Sequence, residues 1–340
     1  MLNPDAKLAA NIFPSEGGSA SGGDQPQMAS TREGFGKGSV EAGKADPRVV
    51  VLSADLAEST QADKFQKAFP ERFVQVGVAE QNLATVAAGM ANYGKIPFFT
   101  SYAAFSPGRN WEQIRTTIAL NNVPAICCGM HAGLLTGPDG ATHQALEDIA
   151  LMRAMPNMIV ISPCDSEEGR KATLAAAKIG KPVYLRFARE KTPVLTTAET
   201  PFEIGKAIVF WKSEKPQVTI FTTGPLSYLT LNAARELEKQ NIGAIVVNIH
   251  TLKPLDEEAV VREARASGAV VTFEEHQVHG GLGGAIAETL GRISPAPIEM
   301  VAVQDRYGQS GNPADLIKEY KLDVPDIVAA AKKAIARAKK

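Results

Sequence analysis

The chain has 340 residues, with 36 Lys and Arg against 37 Asp and Glu, and a formal net charge of −1 at pH 7. This length exceeds one ordinary hydrophobic core and predicts two domains, and a hydrophobic content of 44% is typical of a globular protein. The balanced charge excludes the basic surface that nucleic acid or anionic lipid requires, and every apolar run is shorter than the ~20 residues that cross a bilayer.

Three cysteines, Cys127, Cys128 and Cys164, form no CxxC pair. We expect them to be reduced and buried, with neither a disulfide framework nor a metal site in this chain. Residues 1–13 lack the charged-then-apolar pattern of a signal peptide. The sequence therefore predicts a cytoplasmic protein.

The first part of the chain combines a leader and an α/β domain. Residues 1–38 are predicted to be a flexible leader, because residues 14–38 are rich in Gly, Ser and Pro. Over residues 39–195, short apolar runs alternate with helical patterns, which favours a parallel sheet with helices on both faces. The predicted strands are 49–52, 73–76, 96–100, 124–128, 158–161 and 183–187, and the predicted helices are 58–68, 80–93, 104–120, 144–154 and 166–178.

Residues 196–340 repeat the same alternation after a polar link that contains proline. The predicted strands are 207–210, 218–222, 244–248, 269–273 and 298–301, and the predicted helices are 225–240, 256–267, 281–292, 313–319 and 325–338. The predicted fold class is therefore α/β, with two consecutive parallel-sheet domains.

Polar and aromatic residues follow the predicted strands of the first domain, where open α/β sheets bind their ligands. In chain order they are Asp55, Ser59, Glu80, Tyr102, Phe105, His131, Asp139, His143 and Arg189. Each alone has an ordinary explanation as a turn, cap, core or surface residue. Together they indicate a site for a polar small molecule.

Glu80 is the one acidic residue in the run Val76–Asn82, between a strand at 72–76 that is predicted to be buried and a helix predicted to be packed on most sides. A carboxylate there needs a partner or a proton, because an unpaired buried charge is costly. The alternative is that Glu80 only complements the positive end of the helix, for roughly 0.3–1 kcal/mol.

Five stretches, in this order, resemble the C-terminal half of transketolase, the thiamine diphosphate enzyme of sugar-phosphate metabolism. They are SADLAES (53–59), GVAEQN (77–82), GPDGATHQALED (137–148), HTLKPLD (250–256) and EEHQVHGGLGGA (274–285). The resemblance implies a pyrimidine-binding domain followed by the transketolase C-terminal domain. The family's GDG sequence and downstream asparagines, which hold Mg²⁺ (or Ca²⁺) and the diphosphate, are not found in this sequence.

The resemblance therefore implies one subunit of a split transketolase. An N-terminal partner subunit would carry the diphosphate-binding domain and the metal, and two such pairs would form a heterotetramer. The reaction implied is transfer of a two-carbon ketol unit from a ketose phosphate to an aldose phosphate.

Site roles carry over residue by residue. Glu80 matches the glutamate that contacts and shares a proton with N1′ of the aminopyrimidine, and Asp55, Tyr102 and Phe105 match other cofactor contacts. His131, Asp139 and His143 match residues that bind the sugar, with both histidines assisting proton transfer. Arg32, Ser59 and Arg189 match the binders of the substrate phosphate, a contact to which arginine is suited. Gly108 or Arg109 stands where many transketolases have a further aromatic residue.

Three alternatives remain open. A 1-deoxyxylulose-5-phosphate synthase-like enzyme would use pyruvate and glyceraldehyde 3-phosphate. The β subunit of a 2-oxo acid dehydrogenase is disfavoured by Asp139 and His143, which suit a polyhydroxylated sugar. A non-catalytic α/β binding module is disfavoured by the combination of Glu80 with both histidines.

Overall fold

The computed structural model describes residues 1–13 and 25–339. These residues form a seven-stranded sheet, a five-stranded sheet and a small two-stranded sheet. The strands are β1 Met28–Ser30, β2 Val49–Ser53, β3 Phe73–Gln75, β4 Ile96–Tyr102, β5 Ile126–Met130, β6 Ile159–Ile161, β7 Val183–Arg186, β8 Lys191–Pro193, β9 Ile208–Lys212, β10 Pro216–Thr222, β11 Gly243–Asn248, β12 Thr251–Lys253, β13 Val270–Gln277 and β14 Ile298–Val303.

Helices cover both large sheets. They are α1 Thr31–Ala45, α2 Asp63–Ala68, α3 Glu80–Asn92, α4 Trp111–Gln113, α5 Asp148–Arg153, α6 Ser166–Ile179, α7 Ser227–Lys239, α8 Glu257–Ser267, α9 Leu282–Ile293, α10 Pro313–Glu319 and α11 Val324–Ala338. Shorter turns of 3₁₀ type lie at Pro4–Ala6, Pro70–Arg72 and Leu134–Asp139, and a π-helical stretch covers Ile114–Ala119.

The seven-stranded sheet has the order β12-β6-β7-β5-β4-β2-β3, and its strands are parallel except for β12. β2 and β5 are buried along their whole length, as expected for a parallel sheet with helices on both faces. The predicted α/β class is confirmed. The predicted burial of residues 72–76 is wrong, because β3 is the edge strand and its residues are half-buried or exposed.

Two helix predictions around the strand ends need correction. The helix predicted at 104–120 begins only at Trp111, since Pro107 and Gly108 hold the preceding segment in turns. α3 is buried along one face, which includes Leu83 and Ala87, while Gln81 and other residues of its opposite face are exposed. This is the ordinary pattern of an amphipathic helix rather than one packed on most sides.

The five-stranded sheet has the order β14-β13-β10-β11-β9 and is parallel except for its edge strand β9. The two halves of the chain are joined closely. β12, from the second half, pairs with β6 of the first sheet, with Thr251 opposite Ile161. Leu134 and Leu135, from the first half, lie in one buried apolar cluster with Phe273 of β13.

Most of the predicted leader is packed. The N–H of Asn3 donates to the Phe210 carbonyl at 2.9 Å, and the Phe13 ring meets the Trp211 ring edge-on at 6.2 Å. β1 pairs with β8, and Ser30 and Glu33 form a capping box that begins α1. A flexible leader is therefore wrong for residues 1–13 and 25–38, and residues 14–24 lie outside the described residues.

All three cysteines are buried free thiols, as predicted. Within residues 1–13 and 25–339, no helix combines the length and the apolar character that crossing a membrane requires.

Candidate active site

The site lies along one edge of the seven-stranded sheet. β7, β5, β4, β2 and β3 are consecutive and parallel, so their carboxyl ends lie side by side. The segments after these ends carry the predicted site residues, and α1 adds Arg32 from a neighbouring position.

Glu80 is the first residue of α3, and its side chain is only 2% exposed. Its Oε1 accepts a hydrogen bond from Ser101 Oγ at 3.1 Å, and its Oε2 lies 3.2 Å from Nη1 of Arg109. Asn110 Nδ2 donates to the Glu80 carbonyl at 2.9 Å and so holds the start of α3. The carboxylate thus has the donors that a buried charge requires.

Arg109 covers the opening between Glu80 and Phe105. Its guanidinium carbon lies 5.0 Å from the centre of the Phe105 ring, and its side chain is 53% exposed. Gly108 leaves no room for a side chain, because an added Cβ would lie 2.0 Å from the Ala104 carbonyl oxygen. Of the two positions Gly108 and Arg109, only Arg109 can therefore present a side chain here.

A row of rings extends from Phe105 across the site. The His143 ring lies edge-on to Phe105 at 5.3 Å and to Tyr102 at 6.0 Å. Tyr102 in turn stacks on His131, with ring centres 4.1 Å apart and planes 17° from parallel. The row thus alternates the aromatic rings of Phe105 and Tyr102 with the imidazole rings of His143 and His131.

His131 lies among cationic groups and is 3% exposed. Arg32 Nη1 lies 2.9 Å from His131 Nε2 and donates to the Ser59 carbonyl at 2.6 Å. Burial, followed by the charges of Arg32 and Arg189, lowers the pKa of His131 to about 3, so the ring is neutral at pH 7. Nε2 also lies 3.3 Å from the Ser59 carbonyl, and Nδ1 is buried without a partner among the described residues.

Arg189 completes this cationic end. Its Nη1 donates to the Thr136 carbonyl at 3.0 Å and to Asp139 Oδ1 at 3.2 Å. Burial, and then the charge of Arg189, lower the pKa of Arg32, which shows that the two guanidinium groups act on the same region. Two arginines so close together favour an anion.

Asp55 lies apart from this row. It is exposed, adopts a φ of 62°, and its N–H donates to Gln75 Oε1 at 2.7 Å. Within the part of the chain that the structure describes, no hydrogen bond joins its carboxylate to the other predicted site residues.

Comparison with known proteins gives the family. The family model for the transketolase pyrimidine-binding domain matches residues 27–194, and that for the transketolase C-terminal domain matches residues 206–327. The chain belongs to the transketolase family.

Three relatives of this transketolase-family chain are informative. A Methanocaldococcus jannaschii protein, named provisionally as a transketolase C-terminal section, is 41% identical and matches 86% of this chain and 92% of its own. The 6-deoxy-6-sulfo-D-fructose transketolase subunit of a Clostridium species is 40% identical, with 86% and 90% covered. A solved split-gene transketolase in an inactive β4 tetramer has a TM-score of 0.84 and 45% identity, covering 90% of this chain and 98% of its own. Against mammalian transketolases, the chain spans about half of their length.

The transketolase family implies thiamine diphosphate, and the residues here fit its aminopyrimidine end. Glu80 offers a buried carboxylate, and Phe105 offers an aromatic face beside it. Arg109, which lies between them, is exposed enough to move aside. In the described residues, no cluster of three or more His, Cys, Asp or Glu is arranged to hold a metal ion.

Sequence reasoning missed the partners of Glu80. Ser101 and Asn110 bind its side chain and its carbonyl, and Arg109 pairs with it. The available signal was Ser101 itself, a polar residue near the end of the buried strand β4.

Proposed function

We propose that this chain is the subunit of a split transketolase that carries the pyrimidine-binding and C-terminal domains. With an N-terminal partner subunit, it transfers a two-carbon ketol unit from a ketose phosphate to an aldose phosphate. The observation that carries this proposal is the series of contacts from the buried Glu80, through Arg109, to the ring row Phe105, His143, Tyr102 and His131 at the cationic end. Such a row suits a cofactor ring at one end and a sugar anion at the other.

Glu80 and Phe105 would hold the aminopyrimidine. The Glu80 carboxylate would share a proton with N1′, and Ser101 would keep that carboxylate oriented. When bound, thiamine diphosphate supplies the carbanion chemistry of the transfer. Arg109 would leave Glu80 for the ring to enter; its exposure lets it turn to solvent, and N1′ would replace it as the partner of the buried carboxylate.

The sugar would lie along the ring row. His143 and Asp139 would contact its hydroxyl groups, while Arg32, Arg189 and the neutral His131 would bind its terminal anion. The geometry thus favours anion binding for His131 over the proton transfer that the resemblance implies, since a ring with a pKa of about 3 is a poor base at pH 7. Asp55 stays a proposed cofactor contact that would become relevant when the partner subunit is in place.

A second substrate class has support from one observation. The Clostridium relative, 40% identical, is named as a 6-deoxy-6-sulfo-D-fructose transketolase subunit. Arginine pairs bind sulfonate as well as phosphate, because both are terminal oxyanions. A sulfonated ketose is therefore the second candidate donor.

The partner, metal and location complete the proposal. The solved split-gene transketolase is described as an inactive β4 tetramer, which supports the need for an N-terminal partner subunit here. That partner would hold Mg²⁺ or Ca²⁺ with the diphosphate, and two pairs would form a heterotetramer. The cytoplasmic location stays a prediction.

The test is a donor assay with this chain, its N-terminal partner, thiamine diphosphate and Mg²⁺. Xylulose 5-phosphate, a sulfonated ketose and pyruvate serve as donors, with glycolaldehyde as an unphosphorylated acceptor. Ketol transfer from either sugar supports the proposal and identifies the anion. Preference for pyruvate favours the deoxyxylulose-phosphate alternative, and an assembled but inactive complex with all donors favours the non-catalytic module.

A further inference from the structure

The segment that carries both histidines depends on tertiary support for its shape. Residues 131–144, the histidine loop, contain a short 3₁₀ turn at Leu134–Asp139 that is kinked at Gly137. Backbone hydrogen bonds within the loop, such as the Thr136 N–H to the Gly133 carbonyl at 3.3 Å, form turns rather than a regular helix or sheet ladder. An irregular loop of this kind is positioned mainly by the elements that it packs against.

Apolar side chains at both ends of the loop enter the core of the C-terminal domain. Leu134, Leu135 and Leu146 are at most 2% exposed, and they belong to one buried cluster with Phe273 and Leu316. Phe273 lies on β13 and Leu316 on α10, so both belong to the second half of the chain. The base of the loop is therefore anchored to the C-terminal domain.

Gln144 ties the loop to a second segment of that domain. It is 3% exposed, and its Nε2 lies 3.1 Å from the Gly137 carbonyl and 3.0 Å from the Gln309 carbonyl. The Leu134 carbonyl lies 3.4 Å from the same nitrogen, so the two amide N–H groups have three acceptors, of which the Gln309 carbonyl belongs to the C-terminal domain. The fit is tight, because a Cβ added at Gly308 would lie 1.8 Å from Gln144 Oε1.

Glu275 holds the beginning of the loop. This residue of β13 is 1% exposed, and its Oε2 accepts a hydrogen bond from the Leu135 N–H at 3.2 Å. A Cβ added at Gly133, where φ is 81°, would lie 2.5 Å from the Glu275 carboxyl carbon. Arg186 Nη1 lies 3.8 Å from Glu275 Oε1, and burial raises the pKa of Glu275 to about 7.

We propose that Gln144 and Glu275 are positioning residues through which the C-terminal domain fixes the histidine loop for the sugar. Neither touches the reacting atoms. They act through the backbone of the loop that carries His131, Asp139 and His143. This inference rests on the proposed function only for the statement that the loop receives the substrate.

The first test is hydrogen–deuterium exchange of the full chain, read by mass spectrometry on peptides that cover residues 133–144. Gln144→Met keeps the length of the side chain and removes both donors. We expect exchange in this loop to rise about tenfold, the size of effect that losing one or two buried hydrogen bonds produces.

Asn248→Leu is the matched control, because Asn248 is a buried amide that donates to Glu168 at 2.8 Å and so also joins the two halves of the chain. Exchange in the histidine loop should stay at the wild-type rate in that control.

A second pair of variants keeps the inference testable if Gln144→Met fails to fold. Glu275→Gln retains an oxygen for the Leu135 N–H and resembles the protonated acid, so loop exchange should stay within about threefold of wild type. Glu275→Leu removes the acceptor and should raise loop exchange about tenfold. Equal exchange in the Gln and Leu variants would overturn the role of Glu275.

The kinetic test uses the chain assembled with its partner subunit. Gln144→Met should raise KM for the sugar donor about tenfold and lower kcat, while the Kd for thiamine diphosphate stays within about threefold. Asn248→Leu should lower stability without this change in KM.

Unchanged loop exchange, or faster exchange with unchanged kinetics, would overturn the inference. A wild-type complex with no transfer activity would instead count against the proposed function, and the exchange result would still stand.

Discussion

Replacing Glu80 with glutamine separates stability from activity. Glu80→Gln keeps an oxygen that can accept from Ser101 Oγ and removes only the charge that faces Arg109. Arg109 is 53% exposed, so it can turn to solvent. We therefore expect unfolding stability to change by about 1 kcal/mol or less, since the lost ion pair is partly screened by water.

Activity should fall much further. Glutamine cannot share a proton with N1′ of the aminopyrimidine, and loss of acid–base participation typically slows a reaction by ~10²-fold or more. A factor of 10² corresponds to about 2.7 kcal/mol of barrier, well above the expected change in stability. Cofactor affinity should fall less than turnover does.

Two measurements check this prediction. Proton–deuterium exchange at the thiazolium carbon of bound thiamine diphosphate, followed by NMR on the assembled enzyme, reports the chemistry directly. Denaturant unfolding of the chain reports stability. Glu112→Gln is the control, because it removes the same charge from an exposed carboxylate of α4. If exchange in Glu80→Gln equals wild type, Glu80 is only a helix-end charge and the reasoning is refuted.

Three further predictions concern turnover of the isolated chain, the KM for the sugar donor and the pH dependence of stability. The purified chain alone should show no turnover, and activity without a partner detectable by mass spectrometry would contradict this. Arg189→Ala should raise KM for a phosphorylated donor roughly 10- to 150-fold, with a much smaller change for hydroxypyruvate; equal effects would make Arg189 structural. His250, whose pKa is lowered by burial to about 3, should contribute stability above pH 6.5 that is lost as the pH falls toward 3, by up to about 1.4 kcal/mol per pH unit. His250→Gln should therefore reduce, by about half, the slope of the denaturation midpoint against pH between 5 and 6.5, because His131 has a similarly lowered pKa. An unchanged slope would exclude His250 as a cause.

The fold class could be predicted from the sequence, because apolar segments typical of strands alternate along it with helical patterns. Short buried strands such as β2 and β5 are apolar along their whole length, and that pattern is local. Burial at the edges was harder to predict, because β3 has a similar composition but only one neighbouring strand. The leader was misjudged for a related reason: Asn3 and Phe13 are held by distant residues such as Trp211, which composition does not indicate.

The sequence alone also predicted that the candidate site residues follow the strands of the first domain, where the structure places them. The position of each polar residue after a strand, and the motifs around Glu80 and His143, follow from local patterns and from the family resemblance. Each of these patterns spans only a few consecutive residues, so it can be recognised without knowing which distant parts of the chain come into contact.

Only the tertiary structure decided which groups act on each other. It paired Glu80 with Arg109, placed His131 beside Arg32, and brought Glu275 of the second half against the histidine loop. The contacts of Arg32 and Glu275 join residues that are 99 and 140 positions apart along the chain. They depend on how the sheets and helices pack in space, and no local spacing in the sequence encodes that packing.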